Sequence, residues 1–213
     1  MREVNMIYLG YGKAHIASAS QEDNHEMMLS RETGGALGNS TEEQDLLRAV
    51  ALWAATCAER ALPILEQHHP TDPRPRAAIE ASRNFGHGKK RDKNLRLLAL
   101  AALRAGKDVD EPSKYAARAA SLAAAVAYTH TDLQTGLQGV RQARHVLGPT
   151  VYAALALEVA GGGELTIGDD AIHQGIESAP PGVRTLLKHM PPQAHGRNRL
   201  DILFADLDSA LRD

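Results

Sequence analysis

STEEQDLLRAVALWAATCAERA, residues 40–61, decides the fold class. Leu46, Leu47, Val50, Trp53, Ala54, Cys57 and Ala61 recur at steps of three and four, which puts them on one stripe of an α-helix. Ser40 and Glu43 have capping-box spacing, so each side chain can satisfy a free amide of the other's residue at the helix start. Pro63 falls inside the continuing apolar pattern. Proline lacks an amide hydrogen and clashes with the preceding turn, which predicts a kink or a fresh start at residues 63–67.

The next stretch, TDPRPRAAIEASRNFGHGKK (71–90), has a helix start of its own. Asp72 can accept from the free amides of a first turn, and Pro73 and Pro75 stand where a missing amide costs nothing. Arg74 precedes a proline and is biased away from the α region, so the regular helix is expected from Pro75. Gly86 and Gly88 end it. Further helices are expected at 90–105, 112–128, 132–160, 168–178, 181–190 and 198–212, with a kink or short break at Gly148-Pro149.

The composition agrees. Apolar residues make up 43% of the 213 residues and aromatics only 4%, so alanine and leucine must fill the interior. That mix suits closely packed helices, and few segments cluster the β-branched and aromatic residues of strands. The expected architecture is all-α: a compact bundle of about seven to nine helices, with solenoid-like stacking as the rival arrangement. Residues 1–39 are polar, contain several glycines and show no sustained helical period. They read as an N-terminal arm of uncertain order, followed by a single helical domain over 40–213.

A net charge of −2 gives no basic footprint for nucleic acid or an anionic membrane. One cysteine, Cys57, excludes an internal disulfide and a multi-cysteine metal cluster. No apolar run approaches the roughly 18 residues of a membrane span, so a soluble cytoplasmic protein is expected. Metalloprotease, thiol-redox, nucleophile-elbow and Walker A motifs are absent, and no cofactor is expected. His68 and His69 are adjacent and would point to different sides of a helix, which argues against a metal site. GHGKK (86–90) has the look of a phosphate-cradling loop, but a glycine C-cap followed by a charged turn explains it better. GYGK at 10–13 is a weaker case of the same kind.

Two polar clusters remain. Asp72, Arg74, Arg76, Glu80 and Arg83 could bind an anion or an acidic partner. Equally, Arg74 and Arg76 could fasten this helix start to neighbouring helix ends, since guanidinium groups fork onto carboxylates and carbonyls. Tyr128, His130, Arg141, Gln142, His145 and Glu158 could line a polar pocket between helices. Arg141 and His145 share a face, and a neutral histidine near a carboxylate can act as acid or base.

ALWAATCAERALPILEQHHPTDPRPRAAIEASRNFGHG (51–88) resembles the signature of the Imm5-like immunity proteins, which are alanine-rich, all-helical bacterial chains, often actinobacterial. AYTHTDLQTGLQGVRQARHVLG (127–148), AALALE (153–158) and the tail LLKHMPP…LDSALRD extend the resemblance over roughly residues 41–213. It implies a helical fold and an antidote that binds a partner toxin, with Asp72, Arg74, Arg76, His130 and His145 at matching motif positions. Residues 1–39 and the Gly148-Pro149 pair depart from it. A reading from another class stands beside this one: a cofactor-independent enzyme or small-molecule binder of specialised metabolism. It would hold an apolar or anionic ligand between helices and use His130, His145, Tyr128 and Glu158 as acid–base groups, with the N-terminal arm as a lid. A homo-oligomer is compatible with either reading.

Overall fold

The computed structural model describes residues 41–129 and 135–213. The N-terminal arm, GYGK at 10–13, Ser40 of the capping box, His130 and the expected helix start at 132 lie outside the described residues. Among the described residues there are nine α-helices and no strand: α1 (Thr41–Glu59), α2 (Leu62–His68), α3 (Arg74–Gly86), α4 (Lys93–Ala105), α5 (Glu111–Ala125), α6 (Gly136–Ala160), α7 (Leu165–Glu177), α8 (Pro181–Lys188) and α9 (Arg199–Arg212). A 3₁₀ turn, Val126–Tyr128, follows α5.

Local chemistry sets most boundaries. Pro63 restarts the chain as α2, sitting in its first turn. Asp92, Asp110 and Asn198 cap α4, α5 and α9, each side chain accepting from the amide three residues on. Three expectations shift. α3 begins at Arg74 rather than Pro75, because Pro73 already has helical φ and ψ and the Asp72 carboxylate accepts from the Arg74 amide. α4 begins at Lys93 rather than residue 90, because Asp92 is extended and caps the helix at that point. α7 begins at Leu165, three residues before Gly168.

The largest correction concerns Gly148-Pro149. α6 runs unbroken through both residues. The cause is packing. A Cβ on Gly148 would lie 2.5 Å from Leu122 Cδ1, so the glycine lets α5 and α6 approach closely. Pro149 is buried too, and packing of the helix outweighs the one helical hydrogen bond proline cannot make.

α5 is the centre. It packs against α1, α2, α3, α4 and α6, while α1 also reaches α6 and α8. A solenoid repeat would touch only its neighbours in the chain, so the arrangement is a bundle. Ser113, Ala116, Ala117, Ala119, Ala120, Ser121, Leu122, Ala123 and Ala124 of α5 are all buried. Each alanine contributes only about 0.8 kcal/mol of methyl burial, so stability depends on many close crossings. Serine hydroxyls tie those crossings together. Ser82 Oγ donates to Ala123 O at 2.7 Å and lies 3.2 Å from Ala51 O; Ser121 Oγ donates to Ala99 O at 2.8 Å. Among the described residues no helix is long and apolar enough to cross a membrane.

Cys57 lies in this core, and burial pushes its thiol above the ordinary range. In the native chain it is expected to react with a disulfide reagent far more slowly than in urea, by about 100-fold or more. Equal rates at neutral pH would mean that α1 opens readily.

Candidate functional site

The first polar cluster forms on the outer face of α3. Arg74 closes on its own turn, with Nε 2.8 Å from Asp72 Oδ1 and Nη2 2.6 Å from Oδ2. It does not serve as the fastening to a neighbouring helix that was expected of it. Arg76 takes that role, forking onto Glu66 of α2 at 2.6 and 2.7 Å. Arg83 donates to Glu59, the last residue of α1, at 2.7 Å. Glu80 is exposed on the same helix and adds a favourable charge to Arg76. Sequence reasoning missed Glu59 and Glu66, although Glu66 stands in LPILE immediately before the motif.

Beside this face, His68 and His69 do not diverge. His69 lies past the last helical residue, so helical geometry does not direct it. Both rings approach one carboxylate oxygen of Asp110, His68 Nδ1 at 3.1 Å and His69 Nε2 at 3.7 Å. Among the described residues no three His, Cys, Asp or Glu side chains are placed to hold a metal ion.

These carboxylates carry an acid dependence. The Arg74 guanidinium holds the Asp72 carboxyl below its usual range. For Asp110 burial acts upward, but hydrogen bonds from the Ser113 amide and hydroxyl and from His68 outweigh it, leaving the group lowered. Both folded pKa values lie below the unfolded one, so the unfolded chain protonates first as pH falls. Their stabilisation is complete above about pH 5 and declines below about pH 4. The urea midpoint is expected to drop across that window, and Asp72→Asn to flatten part of the drop. An equally steep decline in the variant would remove Asp72 from the account.

The second cluster disperses. The Tyr128 hydroxyl donates to Asp92 O at the start of α4, and Arg91 and Arg96 stand 5.5 and 5.9 Å from its ring centre. Burial pushes this phenol upward, which keeps it a neutral donor. Glu158, 4% exposed, is forked by Arg199 Nε at 2.9 Å and Nη2 at 2.7 Å. Arg199 Nη2 also donates to Leu165 O and Asp169. A Cβ on Gly168 would lie 2.1 Å from Glu158 Oε2, so the glycine makes room for the carboxylate. Gln142 is buried, His145 half-buried and Arg141 exposed, all on α6. Tyr128 and Glu158 therefore have separate partners on separate helices. An available signal for the Glu158 pair was Arg199 itself: a cation in a first helical turn opposes the helix dipole unless an anion answers it.

A groove of about 240 Å³ lies between α3 and α4, and no sequence reading had singled it out as a whole. Ala77, Ala81, Phe85, Leu95 and Leu98 line it together with Asn84 and Asn94, two lysines, Lys89 and Lys90, and two carboxylates, Glu80 and Asp92. The GHGKK turn contributes Lys89 and Lys90 to it. Gly88 has φ +103°, and the Gly88 and Lys89 amides donate to Phe85 O and Asn84 O, which is a Schellman C-cap. Those amides are consumed by α3 and cannot cradle a phosphate.

The DPRPR turn, its clasped carboxylates and the groove fall in one continuous stretch. Residues 40–135 match the Imm-5 like putative immunity protein family. No curated protein and no solved structure matches the chain. The Imm-5 like segment holds Asp72, Arg74, Arg76, Glu80, Arg83, Tyr128 and His130. Arg141, His145, Glu158 and the tail lie beyond it, so the resemblance drawn over 41–213 is matched as far as residue 135.

Proposed function

We propose that this chain is an immunity-type protein that neutralises a partner toxin by direct association. The observation that carries this is the Imm-5 like match over residues 40–135. The described site supports it. Arg74, Arg76 and Arg83 each hold a carboxylate of the same chain, and Glu158 is bound to Arg199 rather than offered to a ligand. A catalytic carboxylate must reach the proton it transfers, which disfavours the enzyme reading. Blocking a toxin needs instead a complementary face that buries about 1,200–2,000 Å² in total.

The test is to sequence the genes adjoining this one and to co-express the chain with a toxin domain found there. Growth is expected to be rescued, with the two chains eluting as one complex. Unrelieved arrest at matched expression, with no complex, would overturn the reading. Tyr128→Phe and Glu158→Gln are expected to leave rescue intact wherever the variants remain folded.

A further inference from the structure

We infer that this chain binds a second copy of itself head to tail, the outer face of α4 in one copy lying on the outer face of α7 in the next. The inference does not depend on the immunity reading. Three observations carry it.

The first is charge. α4 carries Lys93, Arg96 and Arg104 and no carboxylate, whereas α7 carries Asp169, Asp170 and Glu177 and neither lysine nor arginine. The flanks agree: Lys89, Lys90 and Arg91 precede the Asp92 cap of α4, and Glu164 precedes α7. Lys93, Arg104, Asp170 and Glu177 are exposed and, among the described residues, enter no ion pair. Asp169 is held by Arg199, which leaves the negative charge of Asp170 and Glu177 unanswered.

The second is apolar surface. Lys93, Leu97, Leu100 and Arg104 follow one another at steps of three and four, so they share one stripe of α4. Leu97 is 53% exposed and Leu100 half-buried. None of the four lines the groove that holds Glu80 and Asp92, so this stripe is separate from those carboxylates. On α7, Leu165 is also 53% exposed and stands one turn from Asp169. Each face thus offers an exposed leucine among charges of one sign. The leucines supply apolar contact, and the charges set orientation and register.

The third is placement. α4 packs against α3 and α5, and α7 against α6 and α9. Within the bundle α4, α5, α6 and α7 form a row in which each helix packs on the next, with α4 and α7 at its two ends. The two faces of one chain therefore do not meet. Pairing α4 with α4, or α7 with α7, sets like charges together, so a symmetric dimer through either face is opposed. Pairing α4 with α7 satisfies both faces and repeats from copy to copy. Two single-helix faces bury less than a standard interface, so the association is weak and reversible.

The test is sedimentation velocity of the full chain from low micromolar to near-millimolar concentration. It is run at about 10 mM and about 1 M salt, where the screening length is about 30 and 3 Å. The average mass is expected to rise with concentration at low salt and to return toward that of one chain at high salt. Lys93→Glu/Arg104→Glu and Asp170→Lys/Glu177→Lys, one pair on each face, are each expected to weaken self-association by about tenfold or more. Mixed together, the two variants are expected to associate again, since one then has two acidic faces and the other two basic ones. Circular dichroism verifies that both fold. A single-chain mass at every concentration overturns the inference, even if that monomer binds anionic vesicles through α4. So does self-association that neither variant weakens, and so does a mixture no more associated than its components.

Discussion

Arg199→Ala is expected to lower the unfolding free energy by about 3–5 kcal/mol, because it strands the Glu158 carboxylate inside the protein. The pair is asymmetric. The Glu158 side chain is 5% exposed and that of Arg199 is 23% exposed, so losing the arginine leaves the more buried charge without a partner. Two further attachments go with it, since Arg199 also donates to Leu165 O and Asp169 and so joins α6, α7 and α9. Urea denaturation monitored by circular dichroism measures the loss. The double replacement Glu158→Leu/Arg199→Met is expected to recover much of it, because a buried ion pair replaced by apolar groups of similar size is often close to neutral. A single-variant cost below about 1 kcal/mol would mean that water reaches Glu158.

Phe204→Ala is the second large effect, expected at about 3–5 kcal/mol. Phe204 is 1% exposed and is one of two phenylalanines in the chain. In a core built from alanine and leucine, few neighbours can move to fill the space it would vacate. Its ring meets Tyr152 of α6 edge-on, with centroids 6.0 Å apart, and the Arg144 guanidinium lies 4.6 Å from its centre. Arg144 also donates to Gln193 Oε1 and to Asp201. Loss of the ring therefore removes apolar burial and one wall of this polar group. The thermal midpoint should fall by several degrees more than for Leu97→Ala, an exposed position. Equal shifts would show that α9 contributes little to the cooperative unit.

The C-terminal segment has its own fastening. The buried carboxylate of Asp208 accepts from the Gln193 amide and from Arg212 Nε, both at 2.8 Å. Arg212 also donates to Leu187 O, Met190 O and Pro191 O, closing the end of α8. The residue spacing announces only the Asp208–Arg212 pair, four apart on one helix face, and the place of Arg212 in a last helical turn, favourable to the dipole. The bonds to Gln193 and to the end of α8 are not visible locally.

The contrast between these cases marks how far the amino-acid sequence reaches. The all-α class, the restart at Pro63, the Gly88 stop and the role of DPRPR as a helix start were legible, because apolar periodicity, capping and proline act within one to four residues. The candidate site was legible only in part. The α3 cluster assembles, but Arg76 takes Glu66 from another helix, and Glu158 leaves its supposed companions for Arg199.

What the sequence determined by itself was therefore the inventory of rods and most of their ends. Tertiary structure alone decided which carboxylate each guanidinium holds, that α6 continues through Gly148-Pro149, and that a groove opens between α3 and α4. The physical reason is range. Caps and turns are local, whereas ion pairing, close helix approach and grooves depend on how the helices lie against one another. In an alanine-rich core that placement comes from many small contacts acting together, which no short pattern encodes.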